Sequence, residues 1–124
     1  RSVLGLAFKP GTDDLREAPS LYNIAILLDE GAKIRAWDPL AVGNFKRYYP
    51  NEIEYCATIE DTLKDADICF IFTEWDQVKA LKPEDFLRMK KPIVLDGRNC
   101  FDPKLMAKYP MIYDSIGRKL VKNI

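Results

Sequence analysis

The residues best suited to chemistry in this sequence are cations. Lys9 and Arg16 lie in the stretch Gly5-Leu6-Ala7-Phe8-Lys9-Pro10-Gly11-Thr12-Asp13-Asp14-Leu15-Arg16-Glu17-Ala18-Pro19-Ser20, and Arg98 lies in Asp96-Gly97-Arg98-Asn99. Both stretches follow apolar runs, so each cation sits just past the end of an expected strand. Side chains of this kind suit an anionic ligand, where a charge-assisted bond contributes about 1.5–3 kcal/mol. Each has a plainer reading as well. Lys9 and Arg16 could pair with Asp13, Asp14 or Glu17 on the loop surface, a common arrangement worth only ~0–1 kcal/mol. Arg98 could bond nearby carbonyls.

The same loop excludes one familiar site. A dinucleotide fingerprint needs a glycine turn with a helix starting at once, so that backbone N–H groups meet the pyrophosphate. Here the second glycine position of that pattern holds Ala7, the third holds Pro10, and the next helix waits until about Pro19. Asp38 occupies the place of the ribose-binding acid of such a fold, but without the glycine turn its better role is a helix cap. Glu74 and Trp75 could line a cleft at the end of a central strand, although a Trp there more commonly packs.

Nucleophiles and metal ligands are sparse. The sequence has no histidine, and Cys56, Cys69 and Cys100 are too far apart for a C-x-x-C site, so no metal centre is expected. Cys100 beside Arg98 lacks a histidine base, which leaves an inert thiol as the expectation. Cys69 falls inside an apolar run and is assigned to the core. No catalytic residue is assigned. The three cysteines and the absence of a secretion signal point to a reduced, cytoplasmic setting.

Nineteen basic and nineteen acidic residues cancel. Such a balance argues against nucleic-acid or anionic-membrane binding, which draws on clustered Lys and Arg. Phe45-Lys46-Arg47-Tyr48-Tyr49 mixes rings with cations as single-strand binders do, but two faces of an amphipathic helix explain it better. With 124 residues, 48% hydrophobic and 31% charged, the chain is expected to form a single globular domain spanning 1–124. Its start at the mouth of a strand suggests a piece of a longer protein.

Strand-like and helix-like segments alternate. Strands are expected at Val3–Phe8, Lys33–Trp37, Ile53–Cys56, Ile68–Phe72 and Ile93–Leu95, with Met111–Tyr113 as an edge strand. Pro19–Glu30 reads as a helix with Leu21, Ile24, Ala25 and Leu28 at its apolar spacing and Gly31 as its stop. Asp38-Pro39 should open a helix reaching Tyr48, Thr58 caps one running to Lys64, and Asp102-Pro103 caps another. Short helical pieces are expected at Trp75–Leu81 and Pro83–Met89. The alternation calls for a Rossmann-like α/β fold: a doubly wound, mainly parallel sheet of order 3-2-1-4-5-6 with helices on both faces. Ligands of such sheets bind at the carboxyl ends of strands where the order reverses, between strands 1 and 4. Lys9, Glu74 and Arg98 all fall at that edge.

With these residues in place, the sequence resembles the carboxy-terminal domain of the UDP-glucose/GDP-mannose dehydrogenase family. GLAFKPGTDDLREAPS at 5–20, TEW at 73–75 and DGRN at 96–99 carry the likeness, and Tyr113–Arg118 resembles that family's tail. Pro10 and DGRN favour the UDP-glucose branch over the GDP-mannose and UDP-N-acetylmannosamine branches. The resemblance implies that Phe8, Lys9 and Arg98 contact a UDP-sugar, and that Arg16 reaches toward the pyrophosphate of NAD on a separate amino-terminal domain. It also implies an oxidation of the sugar C6 hydroxymethyl by two hydride transfers through a cysteine thiohemiacetal. That cysteine and the NAD fingerprint lie outside these residues, so the piece alone should be inactive. The parent is expected to be a homo-oligomer, with its remaining domains as partners. A non-catalytic nucleotide-binding module is the alternative.

Overall fold

The computed structural model describes all residues, 1–124. Its elements are β1 (Ser2–Leu4), α1 (Pro19–Asp29), β2 (Ile34–Trp37), α2 (Val42–Phe45), β3 (Ile53–Tyr55), α3 (Ile59–Leu63), β4 (Cys69–Ile71), α4 (Asp76–Lys79), α5 (Pro83–Phe86), β5 (Ile93–Asp96), α6 (Pro103–Met106), β6 (Ile112–Ser115) and β7 (Val121–Lys122). They form one sheet of order β3-β2-β1-β4-β5-β6-β7. Every pairing is parallel except β6 with β7. The expected doubly wound α/β order is present, extended by one antiparallel strand.

Burial follows from position in the sheet. Ser2, Val3 and Leu4 of β1 are all at 0% exposure. Successive strand residues point to opposite faces, so both faces of the central strand are covered. Ser2 sits there because its hydroxyl donates to the Ile68 carbonyl at 3.2 Å. Farther along the sheet, Phe86, Phe101 and Tyr113 form an edge-to-face aromatic series, with ring centroids 5.5 and 6.3 Å apart. No helix is long and apolar enough to cross a membrane.

Helix ends follow the chemistry of their caps. Pro19 opens α1, where a missing N–H costs nothing. Thr58 Oγ1 accepts from the Asp61 N–H at 3.0 Å and starts α3. Asp102 accepts from the Lys104 N–H at 2.9 Å and starts α6. Within α1 the buried side is Ser20 and Ile24, flanked by half-buried Leu21, Leu27 and Leu28. Ala25, expected in the apolar stripe, faces solvent.

Several expected boundaries are corrected. β1 ends at Leu4 rather than Phe8, because Gly5 takes φ +93° and turns the chain out of the ladder. Only glycine fits there. A Cβ at Gly5 would lie 2.4 Å from the Thr73 Cβ, where the chains after β1 and β4 touch. β4 is Cys69–Ile71, a residue shorter at each end than expected. The Asp38–Tyr48 helix shrinks to Val42–Phe45, with Ala41 as its N-cap. Asp38 instead caps the preceding turn, its Oδ1 accepting from Leu40 and Ala41 at 2.8 and 2.7 Å. The sixth strand is Ile112–Ser115, and it is not an edge: β7 covers it. Val121–Lys122 is too short and mixed to carry a strand pattern in sequence.

Candidate functional site at the carboxyl edge of the sheet

Leu4, Ile71 and Asp96 stand level across β1, β4 and β5. The three loops that follow therefore leave the sheet at a common height. Gly97 N–H donates to the Ile71 carbonyl at 3.0 Å, which ties the turn after β5 to the end of β4.

The segment after β1 is pinned from three sides. Asp38 Oδ2 accepts from the Leu6 and Ala7 N–H groups at 2.8 and 3.0 Å. Thr73 donates its hydroxyl to the Ala7 carbonyl at 2.6 Å, and Ser20 donates to the Leu6 carbonyl at 2.6 Å. Trp75 Nε1 closes the set on Asp38 Oδ2 at 3.0 Å. The acid after β2 is thus consumed by protein donors rather than left for a ribose. Trp75 is buried at 7% exposure, which fits the packing role expected of it.

From this fixed base a closed loop projects. The Phe8 N–H donates to the Asp14 carbonyl at 2.8 Å, and Asn44 Nδ2 donates to the Asp13 carbonyl at 2.9 Å. Phe8 is 39% exposed, a large ring facing solvent at the rim. Lys9 beside it is exposed and makes no ion pair. Arg16 does pair: its Nη2 lies 2.9 Å and its Nε 3.1–3.2 Å from the Asp14 carboxylate. That guanidinium and the Arg16 backbone N–H hold the Asp14 carboxyl below its ordinary value, with Lys9 adding a smaller pull. For Arg16 the surface-pair reading describes the structure. For Lys9 it does not.

Arg98 is also engaged. Its Nε and Nη2 both donate to Glu74 Oε2, at 2.9 and 2.8 Å, so its protein partner is a carboxylate, not the carbonyls of its plainer reading. Glu74 Oε1 is buried without a partner. Past the ends of β1 and β5, then, Lys9 is uncommitted and Arg98 is presented on a carboxylate. No bond joins Phe8, Lys9, Arg16 and Arg98 to one another, but Lys9, Glu74 and Arg98 leave adjacent strands at one edge. Asn99, quoted in the DGRN stretch without a role of its own, takes φ +54° and bonds across to Ile116.

Such a rim can hold an anion but offers no cradle for a dinucleotide. The Leu6 and Ala7 N–H groups are spent on Asp38, and α1 begins on a proline. An NAD pyrophosphate does not fit this chain's own first turn. Cys100 is half-buried, and burial pushes its thiol up to about 12, with Asp96 and Glu74 adding to the effect. It is not a poised nucleophile. Cys69 is fully buried in β4. Phe45 is buried and packs against Tyr49 with the rings tilted and centroids 5.7 Å apart, while Lys46, Arg47 and Tyr48 face solvent. This is the two-faced arrangement expected, with its helical part ending at Phe45. No three His, Cys, Asp or Glu side chains converge as metal ligands.

A doubly wound sheet with a cationic switch-point rim defines a nucleotide-binding type of α/β domain. Residues 2–103 match the model for the UDP-glucose/GDP-mannose dehydrogenase family, UDP binding domain, and the chain belongs to that family. It is 39% identical over 123 residues to a UDP-glucose 6-dehydrogenase of Bacillus subtilis (strain 168), covering 98% of this chain and 27% of the relative. A UDP-glucose 6-dehydrogenase of Pseudomonas aeruginosa is 43% identical over 127 residues, covering 94% and 27%. Among solved structures, a UDP-glucose dehydrogenase from Pyrobaculum islandicum superposes with a TM-score of 0.75 at 29% identity, over 91% of this chain and 24% of that one. An NDP-N-acetyl-D-galactosaminuronic acid dehydrogenase from Methanosarcina mazei gives 0.76 at 26% identity, over 95% and 25%. The chain spans about a quarter of the length of these proteins.

Proposed function

We propose that this chain is the carboxy-terminal, UDP-sugar-binding domain of an NAD-dependent UDP-glucose 6-dehydrogenase. Lys9 grips the anionic part of the substrate, Phe8 lies against it, and Arg98 contacts the same molecule from the neighbouring loop. The observation that carries this reading is Lys9: a cation with no protein partner, at the strand-order reversal, on a loop whose base is fixed by Asp38 and Thr73. An unpaired ammonium keeps its full attraction for an incoming phosphate, since no salt bridge has to break first. Arg16 serves the NAD side, reaching from its exposed position toward a cofactor held on another domain.

Oxidation of UDP-glucose to UDP-glucuronate belongs to the whole enzyme, with the hydride acceptor and reactive cysteine supplied outside these residues. This domain contributes grip and position. The parent is a homo-oligomer in this reading. Curated relatives bearing the UDP-glucose name, at 39 and 43% identity, favour that sugar over the GDP-mannose and UDP-N-acetylmannosamine branches.

The test is calorimetric titration of the full-length protein with UDP. Lys9→Ala and Arg98→Ala should each weaken binding by about tenfold or more, from the loss of a charge-assisted bond. Unchanged affinity in both would overturn the reading. The isolated 124 residues should bind UDP poorly because the other pocket walls are missing, whereas a free-standing nucleotide-binding module would bind it.

A further inference from the structure

The loop that carries Arg98 is held from a part of the chain beyond the residues matched by the family's UDP-binding model, which end at 103. The β5–β6 ladder finishes at Asp96 opposite Ser115. Past that point the backbone turns away through Gly97, yet pairing continues for one more rung by a side chain. Asn99 Nδ2 donates to the Ile116 carbonyl at 3.0 Å, and the Ile116 N–H donates to Asn99 Oδ1 at 2.8 Å. A carboxamide matches a peptide group in donor and acceptor, so it extends the sheet where the main chain no longer does. Asn99 does this from φ +54°, a conformation that asparagine tolerates better than most residues.

A second line of bonds reaches the same loop from below. Asp96 Oδ1 accepts from the Arg98 N–H at 3.0 Å, and its Oδ2 accepts from the Tyr113 hydroxyl at 2.6 Å. The Tyr113 oxygen in turn accepts from Arg118 Nη2 at 2.8 Å. A guanidinium donating into a phenol oxygen polarises its O–H toward the carboxylate, so each link strengthens the next. Arg98 thus sits between a clamp on its carboxyl side and a fixed amide of its own. Both trace to the β6–β7 hairpin.

We infer that the β6–β7 hairpin is a positioning device for Arg98, acting through Asn99 on the Arg98 loop and Arg118 in the hairpin as the two positioning residues. The inference rests on the proposed role of Arg98 as a substrate contact. Neither residue needs to touch ligand. Their work is to keep the Arg98 backbone in one place, so that the guanidinium held by Glu74 projects from a fixed point when an anion arrives.

The experiment is a double-mutant cycle on UDP affinity in the full-length protein, with thermal melting recorded for each variant. Asn99→Gly keeps the positive φ accessible and removes both clamp bonds. It should weaken UDP binding about fivefold, the effect of losing one net hydrogen bond's worth of organisation. Arg118→Ala probes the far end of the network and should act in the same direction, with Arg118→Lys failing to restore the Tyr113 contact geometry fully. The decisive arm is the Arg98→Ala background, where both effects should vanish because their target is gone. If either loss persists undiminished there, or if both single variants bind UDP normally, the positioning role is overturned. If Arg98→Ala itself leaves UDP affinity unchanged, the substrate-contact assignment fails instead, a result distinct from the other two.

Discussion

Trp75 donates its indole N–H to the same Asp38 oxygen that receives the Leu6 and Ala7 amides, so one carboxylate joins the chain after β1, β2 and β4. Asp38 lies only 6% exposed, with both oxygens fully used. Replacing it by Ala strands several buried donors at once. We expect Asp38→Ala to cost about 3–5 kcal/mol of stability, measured by urea unfolding, because each orphaned buried group costs about 1–3 kcal/mol. Asp38→Asn should also destabilise, since an amide nitrogen would then face other N–H donors. A loss below about 1 kcal/mol for both would show that the carboxylate is not the pin described.

Gly5 gives a second, purely steric prediction. An added methyl meets Thr73 at 2.4 Å and also has to accept φ +93°. Gly5→Ala should therefore cost about 3 kcal/mol or more, combining backbone strain with overpacking. The atoms the new methyl meets are the Thr73 Cβ, N and Oγ1, all of which serine keeps. The Gly5→Ala loss, measured by urea unfolding, should therefore be undiminished in a Thr73→Ser background; a large recovery there would show that the clash is not the one described.

Arg16 and Asp14 predict a change in titration. The Arg16 side chain and amide hold the Asp14 carboxyl below its ordinary value in the folded protein. A depressed folded value stabilises above the unfolded carboxylate value, and that contribution is lost as pH falls through the folded one. Arg16→Ala should move the Asp14 titration, followed by carboxyl-carbon NMR, back toward the ordinary carboxylate range. On the proposed role of Arg16, the same change in the full-length protein should raise the KM for NAD while leaving UDP affinity near normal. An effect on UDP alone would reverse the assignment of the two cations.

Cys100 should behave as a neutral thiol. Its value of about 12 arises first from burial and then from the nearby Asp96 and Glu74 carboxylates. The thiolate is the reactive form, so iodoacetamide labelling of Cys100 should be slow at pH 8 and keep rising with pH to about 11 without levelling. Peptide mass spectrometry reads the rate. A plateau near pH 8 would contradict the buried setting.

Much of the fold could be read from local pattern. The apolar runs located the strands, and Pro19, Thr58 and Asp102 marked helix starts because capping is decided by neighbouring residues. Strand ends were less legible. Leu6, Ala7 and Phe8 are as apolar as β1, and only the positive φ of Gly5, set close against Thr73, shows why pairing stops at Leu4. Lys9, Arg16 and Arg98 stood out as cations, and Asp14, two residues from Arg16 on the same loop, was among the partners foreseen for it. That Arg98 turns to Glu74 depends on a distance between loops that no spacing encodes. Asn99 was hidden for the same reason, since its partner Ile116 belongs to another strand's end.

The two-residue β7 has an effect beyond closing one hairpin. By running against β6 it pairs with Ile112 and Tyr113, the first half of a strand that would otherwise be a bare edge. At the far side the sheet stops with three residues, the middle one being the charged Glu54. Neither border offers a long apolar template, so strangers and second copies find little to zip onto. A short strand of modest sequence thus defends the whole sheet against sticking edge to edge.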